Sequence, residues 1–105
     1  MSNNITAKRH ILYVYEDRIT ALSEYHNHKE LYKQSLFSVN DKFNKLYLDY
    51  NGQISCLQFS YAATLEEAGM HFGGGRYSWV YCSENVNKEV RMYLLSRTRG
   101  ENSGP

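Results

Sequence analysis

The run KLYLDYNGQISCLQFSY, Lys45 to Tyr61, reads as two strands joined by a tight turn. Leu46, Leu48 and Tyr50 alternate with polar neighbours, the period of two expected of a strand with one buried face. Asn51-Gly52 supplies the two positive φ angles of a type I′ turn, whose twist matches an antiparallel pair. A two-residue turn sets Tyr50 opposite Gln53, Leu48 opposite Ser55 and Leu46 opposite Leu57. One face of the hairpin then holds Leu46, Leu48, Tyr50, Leu57, Phe59 and Tyr61, and the other Tyr47, Asp49, Ile54 and Cys56. An apolar face backed by a mixed one predicts a sheet covered by helices from one side.

The segments on either side extend this picture. His10–Tyr15 is β-branched and aromatic, bounded by charge, and reads as a strand. Asp17 caps a helix with apolar residues at Ile19, Leu22, Tyr25, Tyr32 and Leu36, either one long helix or two short ones meeting around His26–His28. Thr64-Leu65-Glu66-Glu67 has the spacing of a capping box and opens a second helix, which Gly73–Gly75 ends. Arg76–Ser83 alternates Tyr77, Trp79 and Tyr81 against Ser78, Val80 and Cys82. Lys88–Arg97 puts Val90, Met92 and Leu94 on one side, with Arg91, Tyr93 and Arg97 on the other. Its residue types also suit a terminal helix, but the alternation, with Glu84–Asn87 as a hairpin loop, favours a strand. The expected order is β-α-β-β-α-β-β. It describes an α+β single domain, an antiparallel sheet of about five strands with two helices on one face, related to the ferredoxin-like arrangement. The chain 1–105 reads as one globular domain, with 1–8 and 100–105 expected to be flexible.

Composition sets the bounds on function. At 105 residues, a net charge of +1 and 42% apolar residues, the chain has the length of one domain and the aromatic content of a folded one. No stretch approaches the roughly 18 apolar residues of a membrane span, and Met1–His10 lacks the pattern of a secretory leader. A cytoplasmic setting is expected. There Cys56 and Cys82, with no second Cys or His at metal-ligand spacing, read as two buried free thiols, with a bridge between adjacent strands as the alternative. The balanced charge disfavours a generic polyanion binder. Local cationic groups remain at Lys8, Arg9 and His10, and at Arg91, Arg97 and Arg99.

Catalytic and metal-binding patterns are weak. His26 and His28 point about 200° apart on a helix and cannot grip one metal from it. Three glycines before Arg76 can admit a ligand close to the backbone, but they follow a helix, whereas phosphate loops precede one. Glu16-Asp17 and Glu66-Glu67 fall at helix starts, where the helix dipole favours acids. No nucleophile elbow surrounds any serine or cysteine. His10, His71, Arg76 and Tyr77 are the residues that ribonuclease-like chemistry would have to gather in space. No cofactor and no metal are expected.

Tyrosine carries the functional reading. Ten tyrosines against four phenylalanines and one tryptophan exceed what a small core can satisfy, because each buried hydroxyl needs a partner. Tyrosine and arginine are enriched where proteins dock. If Val80 and Cys82 face inward, Arg76, Tyr77, Trp79 and Tyr81 form a contact surface that the next strand extends with Arg91, Tyr93 and Arg97. The expected activity is non-enzymatic, stoichiometric binding of a protein partner, with a second copy of the chain also fitting such a face. One alternative is single-stranded RNA or DNA stacked on the same rings, and another is the His-dependent ribonuclease-like enzyme. Small size, absence of motifs and an aromatic surface together resemble the compact inhibitors and adaptors made by bacteriophages and mobile elements, a likeness of category only.

Overall fold

A computed structural model describes residues 7–96. The hairpin has the expected register. Strands β3 (Lys45–Tyr50) and β4 (Gln53–Tyr61) pair antiparallel, with Tyr50 opposite Gln53, Leu48 opposite Ser55 and Leu46 opposite Leu57. Asn51 and Gly52 adopt φ values of 55° and 83°, and the Asp49 carboxylate accepts the Gly52 N–H at 2.9 Å. Leu46, Leu48, Leu57 and Phe59 share one buried cluster, as their common face requires.

The rest of the sheet differs from expectation. Strand β1 (Arg9–Tyr15) lies between β4 and β5 (Trp79–Cys82) and runs parallel to both, and β2 (Leu36–Asn40) pairs antiparallel with β3 at the far edge. The order is β2-β3-β4-β1-β5, a mixed sheet rather than an antiparallel one. Parallel neighbours require crossovers, and crossovers are right-handed. From β1 the chain crosses one way to β4, and from β4 it crosses back over β1 to β5. Opposite directions with one handedness place the two connections on opposite faces.

The core records this division. Helix α1 (Arg18–Leu31) buries Ala21 and Tyr25, and Tyr25 joins the β3–β4 leucines, Phe59 and the odd-numbered side of β1: Ile11, Tyr13 and Tyr15. On the other face Leu12 and Val14 pack with Ala68 and Phe72 of α2 (Leu65–Phe72) and with Val90 and Leu94 of α3 (Lys88–Leu95). The two helices expected on one face are therefore three helices on two faces. The run Ile11–Tyr15, with no polar residue before Glu16, carries the corresponding signal, since a strand buried on both sides has no alternation.

Local chemistry explains the other departures. Lys88–Leu95 is helical because the Asn87 side chain caps it, accepting the Glu89 N–H at 2.7 Å, and because Val90 and Leu94 are one turn apart on the buried stripe. Helix α1 is continuous through His26–His28 and is capped by Asp17, which accepts the Thr20 N–H at 2.7 Å. Ile19 and Leu22, expected to face inward, are 79% and 38% exposed because the inward stripe runs through Ala21 and Tyr25 instead. Thr64 caps α2 by accepting from Glu67 N–H. Lys8, expected in a flexible end, donates its N–H to the Ile54 carbonyl at 2.7 Å and extends the β1–β4 ladder. The expectations for residues 1–6 and 97–105 lie outside the described residues. Both cysteines are free, Cys56 buried and Cys82 partly so, and burial raises both thiol pKa values.

Candidate interaction surface

Parallel strands in register place same-face side chains directly beside one another about 4.8 Å apart, and here the side chains are rings. Tyr13 is in register with Phe59 on β4 and with Tyr81 on β5. Its ring stacks on Phe59 at 4.7 Å and 8°, and on Tyr81 at 5.2 Å and 22°, while Trp79 continues the row at 6.1 Å from Tyr81. His28 of α1 leans over both Tyr13 and Phe59, at 5.5 and 4.9 Å.

Exposure grades along this row. Phe59 lies beneath α1 at 1% exposure, Tyr13 is half-buried, and Tyr81 at the sheet edge is 47% exposed. The core of the α1 side thus runs out into solvent as an aromatic face. Further phenols join it. Burial raises the Tyr13 pKa, and the nearby hydroxyls of Tyr32, Tyr81 and Tyr50 add to the rise. Tyr50 is itself 47% exposed. Beside them Tyr15 is pushed to about 12 by burial and then by the Glu24 carboxylate. Their raised values keep Tyr13 and Tyr15 neutral at physiological pH. They offer O–H donors and flat apolar area together, the combination favoured in interface cores.

The seven residues expected on one surface are divided. Trp79 and Tyr81 face the α1 side, and Val80 and Cys82 face inward toward α2 and α3. Tyr77 is 4% exposed and belongs to the core of the opposite face, its ring edge-on to Phe72. Gly75 explains this inward turn: a Cβ there would lie within 2.7 Å of the Tyr77 ring, so the open backbone of the glycine loop is filled by the chain's own tyrosine. Arg91 and Tyr93 sit on α3 rather than on a neighbouring strand. The Arg91 guanidinium donates to the carbonyls of Ser83, Glu84 and Val86 at 3.2–3.5 Å and pins the β5–α3 loop, while Tyr93 packs against the core. Arg76 is exposed before β5, and Arg97 lies outside the described residues. Tyr13, Tyr32 and Tyr50 belong to the face that formed but were absent from the expected one. Only the β1–β5 and β1–β4 pairings, which are non-local, bring them there.

The residues considered for catalysis are also divided. His10 touches Tyr77 edge-on at 5.0 Å, and its Nε2 lies 2.9 Å from Gln58 Oε1, while its backbone N–H donates to Ser78 Oγ. His71 instead turns to Tyr61, its Nδ1 2.8 Å from that carbonyl. Burial lowers the His10 pKa, against the opposing effect of its bond to Gln58, and Lys45 lowers it further. A lowered value means that the unfolded chain takes the proton first. Stability contributed by neutral His10 is complete above the ordinary value of about 6.5 and falls as pH drops from there to the folded value. His10→Asn is expected to flatten that part of the stability–pH curve, as read from urea midpoints between pH 7.5 and 5.

Among the described residues no group of three or more His, Cys, Asp or Glu could hold a metal ion. No described helix is long and apolar enough to cross a membrane. The fold and the ring-lined face define an α+β domain with a mixed five-stranded sheet and an aromatic edge. No protein-family model, curated protein or solved structure matches the chain.

Proposed function

We propose that this chain is a small stoichiometric binding protein, of the inhibitor or adaptor kind, that docks a protein partner through the aromatic face at β5. The observation that carries this reading is the stacked row Phe59–Tyr13–Tyr81, with Trp79 tilted beside Tyr81, anchored in the core at Phe59 and open at Tyr81. Such a row is rigid before binding, so docking on it costs little side-chain entropy. Its members are ring systems of the type that dominate interface energetics. Strand β5 is four residues long and among the described residues pairs only with β1, so the partner meets both the rings and a short strand edge. The net charge of only +1 favours a protein surface over a phosphate backbone.

The test is isolation of the bound partner from host extract, with and without nuclease, using wild type and the Trp79→Ala/Tyr81→Ala pair. The expected result is one protein, retained after nuclease and lost with the double substitution. Loss on nuclease treatment, or retention by the double variant, contradicts the proposal.

A further inference from the structure

A second feature lies away from the aromatic face. An open cleft of about 260 Å³ is bounded by the start of α1, the turn between β2 and β3, the end of β4, and α2. Arg18, Lys42 and His71 line it, and among the described residues no acidic one does. The nearest carboxylates in sequence are engaged elsewhere. Asp17 accepts the Thr20 N–H, and Asp41 is held by Lys29 at 2.8 Å and by the Tyr25 hydroxyl, contacts that keep both carboxyls below their usual pKa. Arg18 and Lys42 form no ion pair and no side-chain hydrogen bond among the described residues. The Lys42 ammonium lies 5.4 Å from the Phe43 ring centroid.

The cleft also has apolar and polar walls. Phe43, 54% exposed, and Tyr61, with His71 edge-on to it at 4.9 Å, both line it. Gln58, whose amide oxygen lies 2.9 Å from His10 Nε2, also lines the cleft. The turn carrying Lys42 and Phe43 is held at both ends. Asn40 Oδ1 accepts both of their backbone N–H groups, and Asn44 exchanges hydrogen bonds with Phe59 of β4, at 2.9 and 3.4 Å. Donors without a counter-ion among the described residues, in a cleft that two rings also line and with Lys42 on a fixed turn, match a ligand that joins an anion to a flat heterocycle. The volume is close to the small end of ligand sites, about 300 Å³, and suits one such unit.

The geometry points to a binding site for a single nucleoside monophosphate unit, its phosphate among Arg18, Lys42 and His71 and its base between Phe43 and Tyr61. Buried Phe59 borders both the cleft and the ring row, but the site uses none of the docking rings Tyr13, Tyr32, Tyr50, Trp79 and Tyr81 and is independent of the partner proposed for them. Each charged donor on a phosphate contributes enough for about a tenfold change in affinity.

The test is titration of the full chain with the four nucleoside monophosphates, adenosine, inorganic phosphate and a four-nucleotide single-stranded RNA, followed by NMR shifts of the His71 ring and the Gln58 side-chain amide. At least one monophosphate is expected to saturate and to bind about tenfold or more tightly than adenosine or phosphate alone. Arg18→Gln and Lys42→Gln, both at exposed positions, are each expected to weaken it about tenfold without changing the melting temperature. Tighter binding of the tetranucleotide assigns the unit to a strand, and equal binding assigns it to the free nucleotide. Monophosphates that bind no better than phosphate or adenosine, or variants that bind like wild type, overturn the proposal.

Discussion

Phe59→Ala is expected to cost about 3–5 kcal/mol of folding stability, the range for deleting a buried aromatic ring. Small domains hold only about 5–15 kcal/mol in all, so this one change takes a large part of the total. Its size follows from position. Phe59 is 1% exposed and meets Tyr13 at 4.7 Å, His28 at 4.9 Å and Tyr25 at 6.0 Å, so its removal leaves a void that β1, β4 and α1 all border. Little can collapse into that void, because Tyr25 is held by Asp41 and Tyr13 by Tyr81 on its far side. The urea midpoint should fall with an unchanged slope. A loss under about 1 kcal/mol would mean that α1 is not seated on this ring.

Trp79→Ala and Tyr81→Ala are expected to act in the opposite way, leaving the fold and removing the binding. Tyr81 is half-exposed and stacked on one side only, so truncating it should cost no more than about 1 kcal/mol of stability. Centrally placed rings in interfaces contribute about 2 kcal/mol or more each, which is roughly a thirtyfold loss of affinity per substitution. Met92→Ala is the control. It is 60% exposed on α3, in the opposite layer, and should leave affinity unchanged. Salt separates the partner classes. Docking dominated by rings should vary little with ionic strength, whereas a nucleic acid strand would lose affinity steeply.

The parts of this fold visible in the sequence are those encoded by neighbours along the chain. Asn51-Gly52 and the flanking leucines specify one register, because a slip by one residue would turn Leu46 and Leu48 into solvent. Asp17 and Thr64 mark helix starts by their own capping bonds. Where two periods fit the same residues, local reading fails. Val90, Met92 and Leu94 alternate as a strand would, yet Val90 and Leu94 are also one helical turn apart, and the Asn87 cap decides for helix. Strand β2 begins at Leu36, the last of the apolar positions read as helical. It turns the apolar Phe37 and Val39 outward, 56% and 38% exposed, and the polar Ser38 and Asn40 to the less exposed side, so its residues do not read as a strand with a buried apolar face.

The candidate site was legible only as composition. A surplus of tyrosine pointed to an aromatic surface, and Trp79 and Tyr81 do lie on one. Which other rings join them depends on β1 lying between β4 and β5, a pairing that joins residues more than forty positions apart. Tyr77 shows the same limit from the other side. Two residues from Trp79 in an alternating run, it would share that face in a regular strand. The chain enters β5 only at Trp79, however, and Gly75 leaves room for the Tyr77 ring to fold back into the opposite core.

Hydrogen exchange of the chain, free and partner-bound, tests the docking surface most directly. Binding is expected to slow exchange at the amides of β5 and at the β3–β4 turn beside Tyr50, with amides of α3 unchanged. Protection confined to α2 and α3, with β5 exchanging as in the free protein, would place the interface on the other layer and contradict the assignment.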